Sequence, residues 1–112
     1  MVDSILESVK LDLGLTGDCT DFDQQLIGYI NSVFFVLWQM GLTAKPLEIH
    51  DSASVWTDID TKVSEFNLIK TYVSQKVRYM FDPPVSGSAM ESLNAVIKEL
   101  ETRLYWYAEY ER

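Results

Sequence analysis

The side chains with the means for chemistry are few and scattered. His50 is the only histidine. Asp51 stands beside it, but no second ligand follows at zinc spacing and no nucleophile-and-base arrangement is spelled out around it. It reads as an exposed or loop-packing histidine. Asp18, Asp21 and Asp23 invite a calcium reading, yet Asp21-Phe22-Asp23 lacks the following acid or amide, the turn glycine and the closing glutamate of an EF-hand loop. Acids at a helix amino terminus answer its dipole instead. Asp58 and Asp60 flank Ile59 and read the same way, as carboxylates ahead of a helix rather than an acid/base pair. Cys19, the single cysteine, cannot form an internal disulfide, and the acids around it disfavour a reactive thiolate. There is no Gly-rich phosphate loop, no G-x-S-x-G elbow, no H-E-x-x-H and no cysteine pair. No catalytic residue, no cofactor and no metal site are expected, and an enzyme is the least favoured reading.

The totals describe an ordinary globular chain with an acidic bias. At 112 residues, 47% apolar and 23% charged, it should form one domain over residues 1–112. The net charge of −8 argues against non-specific phosphate binding, which needs clustered Lys and Arg to displace counterions. Asp3 and Glu7 interrupt the amino terminus, so no signal peptide is read there. The most apolar segment, Leu26–Met40, is broken by Gly28, Asn31, Ser32 and Gln39 and is shorter than the ~20 residues a membrane helix needs. The expectation is a soluble protein, intracellular at synthesis, with no membrane partner.

Four helices follow from periodicity and punctuation. The first starts at Ser4, with Glu7 in capping-box position, buries Ile5, Leu6, Val9 and Leu13, and stops at Gly14. The second runs from about Phe22 to Met40 and ends at Gly41. Its apolar set Leu26, Ile27, Ile30, Val33, Phe34, Leu37 and Trp38 covers more than half the circumference, and Phe35 lies in the remaining stripe. A helix this apolar is surrounded by its own domain or by a neighbouring subunit. Leu42–Lys62 is irregular, with Val55-Trp56 as the anchor that pins it to the core.

The third helix, Val63–Phe81, organises the rest. Leu68, Ile69, Tyr72, Val73, Val77 and Met80 share one face, and Lys70, Ser74, Gln75 and Arg78 are expected opposite, toward water or a partner. Lys62, Lys70, Lys76 and Arg78 make it the one basic region, either solvated or paired with the acidic amino-terminal third of another copy. Asp82-Pro83-Pro84 ends it in a stiff corner. The fourth helix opens with Ser88 and Glu91 as a capping box and carries Met90, Leu93, Val96, Ile97, Leu100 and Leu104 on one face, with Glu99 and Arg103 paired outside. Its end, Tyr105-Trp106-Tyr107-Ala108-Glu109-Tyr110, cannot turn every aromatic to one core, because helical neighbours diverge by about a hundred degrees. Some are interface anchors or pack on the irregular loop. The fold class is all-α: a small four-helix domain with one long irregular loop between helices two and three.

The order of these features resembles the head–tail connector (adaptor) proteins of long-tailed bacteriophages. The matching pieces are the short first helix, DFDQQLIGYINSVFFVLWQMG, the loop with VWTD, and LIKTYVSQKVRYMFDPPVSGSAMESLNAVIKELETRLYW; K-x-Y-x-x-x-K-V-R-x-x-F-D-P-P followed by I-K-E-L-E-x-R-L is the most specific part. The resemblance implies a small helical virion protein, not an enzyme. It would form a homo-oligomeric ring, usually twelvefold, beneath the portal protein, extend the DNA channel, and dock a tail-side connector or stopper protein. DNA would pass through without specific binding, which suits the acidic composition. The location implied is the head–tail junction of the virion, reached from the host cytoplasm during assembly. On that reading Tyr79, Phe81, Asp82, Pro83 and Pro84 form a shaped corner, and Trp106, Tyr107 and Tyr110 are assembly anchors. The competing reading is a small helical regulatory module that binds one protein partner as a monomer or dimer.

Overall fold

A computed structural model of the chain describes residues 4–16, 18–45, 47–59, 61 and 66–110, with Tyr110 described by its backbone alone. Among these residues there are four α-helices: α1 (Ile5–Asp12), α2 (Asp23–Gln39), α3 (Phe66–Phe81) and α4 (Gly87–Tyr110). A 3-10 turn, Trp56–Asp58, lies between α2 and α3. Among the described residues there is no strand, only two isolated antiparallel bridges, Ser4 to Val55 and Thr43 to Thr61. The architecture is all-helical.

α1 and α2 end by the same device. Leu15 N–H donates to Lys10 O and Gly14 N–H to Leu11 O; Leu42 N–H donates to Leu37 O and Gly41 N–H to Trp38 O. Both are Schellman closures, which require a left-handed residue. Gly14 (φ 81°) and Gly41 (φ 83°) supply it. At the other end of α1, Ser4 Oγ accepts Glu7 N–H at 3.3 Å, as its spacing implies. α4 begins earlier than its expected start at Ser88. Ser86 is the cap, its Oγ accepting Ala89 N–H at 3.0 Å, the bond by which a serine satisfies a free donor of the first turn.

α3 is the central element, packing against α1, α2 and α4. Ile69, Tyr72, Val73 and Val77 are buried with Ile5, Leu6 and Val9 from α1, Leu26, Ile30, Phe34 and Leu37 from α2, and Leu93, Ile97, Leu104 and Ala108 from α4. Three expected faces need correction. Ser74, assigned to the outward side of α3, is buried and donates its hydroxyl to Asp12 Oδ2 at 2.6 Å; α1 covers that side of the helix. Val96, assigned to the core stripe of α4, is exposed, and Ala108 continues the stripe Leu93, Ile97, Leu104 instead. Trp38 is exposed rather than part of α2's buried face. In both helices the true stripe is narrower than the set of apolar residues.

The connection from α2 to α3 is held by side chains. Asn31 on α2 clamps Ile49 at two points: its Oδ1 accepts Ile49 N–H at 2.8 Å and its Nδ2 donates to Ile49 O at 3.1 Å. Ile49 is thereby pulled into the core. Trp56 is buried as the expected anchor, edge-on to Phe34 with ring centroids 6.4 Å apart, and its indole N–H donates to Ser8 Oγ at 3.1 Å. Asp58 accepts Val55 N–H at 3.0 Å, capping the 3-10 turn. Asp60, Lys62 and Val63, named in the sequence reading, lie outside the described residues.

Candidate assembly surface

The chemistry-bearing residues do not converge. His50 is exposed on the connection. Among the described residues no three His, Cys, Asp or Glu side chains are grouped to hold a metal ion. Thr16 lies against Asp18 and, by hydrogen bonding, holds that exposed carboxyl below its ordinary range, so this acid is satisfied within its own loop. A hollow of about 570 Å³ between α3 and α4 is lined by Lys76, Tyr79, Glu91, Asn94, Lys98 and Glu101. At its edge Tyr72 donates its hydroxyl to Glu101 Oε2 at 2.9 Å, and Lys76 Nζ stands 3.7 Å from the same oxygen. Burial first, then Glu101, pushes the Tyr72 hydroxyl well above its ordinary range. It stays a protonated donor at neutral pH, which makes this trio a link between α3 and α4.

The basic side chains of α3 are mostly engaged within the chain. Lys70 Nζ stands 5.8 Å from the Trp56 ring centroid and 5.7 Å from that of Phe66, within cation–π range. Lys76 meets Glu101, and Arg78 is exposed.

The residues assigned to the corner occupy one end of an antiparallel α3–α4 hairpin. Its direction follows from Leu68 beside Trp106 and Tyr107, Tyr72 beside Glu101, and Arg78 beside Ala89 and Leu93. Tyr79, Asp82 and Pro83 are exposed; Phe81 and Pro84 are half-buried. Phe81 meets Phe22 edge-on, with centroids 5.2 Å apart, which ties the corner to the start of α2. Val85, in the loop expected after the corner, is wholly exposed.

The aromatic anchors occupy the opposite end. Trp106 is 51% exposed and Tyr107 half-buried, their rings edge-on at 5.3 Å. Tyr105, not among the proposed anchors, is the most exposed of this group at 58%. The Tyr110 side chain lies outside the described residues. The hairpin therefore separates the two sets rather than joining them into one patch.

A third aromatic surface lies on α2, apart from the expected site residues. Phe35 and Trp38 face outward on α2 with centroids 5.5 Å apart, and Val36 is exposed beside them. The signal for it is charge: Gln24–Ala44 contains no Asp, Glu, Lys or Arg, so the outward side of α2 is uncharged in an otherwise acidic protein.

Together these features define a small all-helical protein whose distinctive surfaces are outward aromatic and apolar groups rather than a pocket. Residues 5–111 match the family of phage connector proteins, and the chain belongs to that family. No curated protein and no solved structure matches it. The family's role is structural and its place is the virion, where its members assemble with other virion proteins. No helix among the described residues is long and apolar enough to cross a membrane.

Proposed function

We propose that the chain, as a single domain, forms the connector ring between portal and tail, usually twelvefold, that extends the DNA channel and docks the tail-side connector or stopper protein. The family match over residues 5–111 carries this reading. Outward aromatics at three places on a small helical body support it, since exposed Tyr, Trp and Phe are favoured anchors of protein interfaces. A subunit of a ring needs two different complementary surfaces, and the corner and the aromatic end of α4 are offered as those surfaces, with Tyr79, Phe81, Asp82, Pro83 and Pro84 in one and Trp106, Tyr107 and Tyr110 in the other. The net charge of −8 suits a channel that DNA crosses during packaging and ejection without being held.

The test is capture by the cognate portal protein. The connector reading expects retention at a fixed subunit ratio to the portal and competition-free addition of the tail-side protein. Retention of neither would leave the regulatory-module reading, in which the chain binds some other single partner as a monomer or dimer.

A further inference from the structure

The corner and the far end of the α3–α4 hairpin are complementary in shape, polarity and charge. Pro83-Pro84-Val85 is a stiff apolar tip, because proline fixes φ at two successive positions. Pro83 is exposed and Val85 stands at 105% of its reference exposure. Pro83–Met90 carries no charge. Asp82 stands exposed at the base of the tip, its N–H donated to Arg78 O at 2.9 Å where α3 ends.

At the other end, Leu68, Trp106 and Tyr107 line a hollow of about 250 Å³ with Arg103 beside them. That is below the roughly 300–1,000 Å³ of a drug-sized ligand site and suits one or two small side chains. Aromatic-lined grooves are a recurrent seat for proline segments. Arg103 is held by Glu99 at 3.0 Å in an exposed pair; such pairs are weak, and a guanidinium has donors to spare for a second carboxylate. The tip cannot reach the hollow of its own chain. Leu68 and Phe81 lie about 20 Å apart along α3 at 1.5 Å per residue.

We infer that the hollow receives the Pro83-Pro84-Val85 tip of a second copy of this chain, with Asp82 of one copy against Arg103 of the next. The two halves are different surfaces, so the contact is heterologous and propagates from copy to copy, closing a ring when the rotation allows. A pre-formed tip loses little freedom on seating, and Trp, Tyr and Arg are the residues that dominate such contacts. The inference rests on the connector reading and specifies which surfaces of neighbouring subunits meet.

A mixing experiment tests it. Val85→Glu puts a charge where an apolar group must seat, and Trp106→Ala removes a wall of the hollow. Each variant alone should self-associate at least tenfold more weakly, with unchanged circular dichroism. Mixed in equal amounts they should form a one-to-one heterodimer and nothing larger, seen by native mass spectrometry. The intact tip of the Trp106→Ala chain fits the intact hollow of the Val85→Glu chain, and the other two surfaces are disabled. Should Trp106→Ala lose helix content, Arg103→Glu takes its place in the mixture. Undiminished self-association of the single variants, or a mixture without heterodimer, overturns the pairing. So does a wild-type chain that stays monomeric up to about 1 mM. None of these results bears on portal capture, by which the connector reading stands or falls.

Discussion

Lys10 Nζ lies 3.0 Å from Asp23 Oδ1, and the lysine side chain is 1% exposed. A buried cation on α1 is thus tied to the first residue of α2, with Glu7 Oε1 3.9 Å away as a second, looser partner. The aliphatic stem of the lysine is buried beside Ile5, Leu6 and Val9 while its head meets the carboxylates. Asp23, one of the three acids that invite a metal reading in the sequence, serves instead to hold α1 and α2 together.

Removing one partner of such a pair strands the other. Lys10→Ala should destabilise the fold by about 3 kcal/mol, read from urea denaturation, the low end of the buried-pair range because Asp23 is 23% exposed. The apolar double variant Lys10→Met with Asp23→Leu should recover most of that loss. A single variant with an unshifted midpoint would show that the pair contributes nothing.

Tyr72 makes stability sensitive to alkali. Its hydroxyl titrates above the ordinary value of 10.0 in the folded chain, chiefly through burial and then through Glu101. The folded state therefore keeps a proton that the unfolded chain releases near pH 10. The contribution is fully present below that pH and is lost as pH rises above it. Tyr72→Phe should cost about 1–2 kcal/mol at pH 7 through the lost hydrogen bond to Glu101. Its stability should then fall less steeply above pH 10 than that of the wild type, as measured by denaturant midpoints across the alkaline range.

Trp56 carries the connection between α2 and α3. Trp56→Ala removes the ring packed on Phe34 and should cost about 3–5 kcal/mol, seen as a large fall in thermal midpoint. Ser8→Ala leaves the buried indole N–H without its 3.1 Å acceptor and should cost about 1–3 kcal/mol. Equal effects of the two would mean that the hydrogen bond, not the packing, holds the segment.

The exposed aromatics of α4 should behave in the opposite way. Tyr105→Ala and Trp106→Ala lie at half-exposed positions and should change the monomer's stability by no more than about 0.5 kcal/mol. Assembly, followed by light scattering, should weaken clearly. A loss of stability without a loss of assembly would assign these rings to the fold instead.

The helices were legible because their signals are local. Ser4, Gly14 and Gly41 mark ends by backbone chemistry that does not depend on the rest of the chain, and all three serve as read. The faces were less legible. Apolarity says what a residue tolerates, and only the packing partner decides what is covered: Val96 and Trp38 are apolar yet outward, while Ser74 is polar yet inward under α1. The clamp of Asn31 on Ile49 and the Lys10–Asp23 pair join positions whose meeting requires the tertiary fold. The corner at Asp82-Pro83-Pro84 was readable from proline chemistry alone. That its tip and the Trp106 end point apart follows from the antiparallel hairpin, which no short stretch of sequence encodes.

Whether the chain builds a connector ring is read from the native mass of the purified protein, alone across a concentration series and again in the presence of the portal protein. A ring subunit gives a closed oligomer of one defined size, formed by the chain alone or on the portal, and visible as rings by negative-stain electron microscopy. A stable dimer with no larger species under either condition would contradict the connector ring.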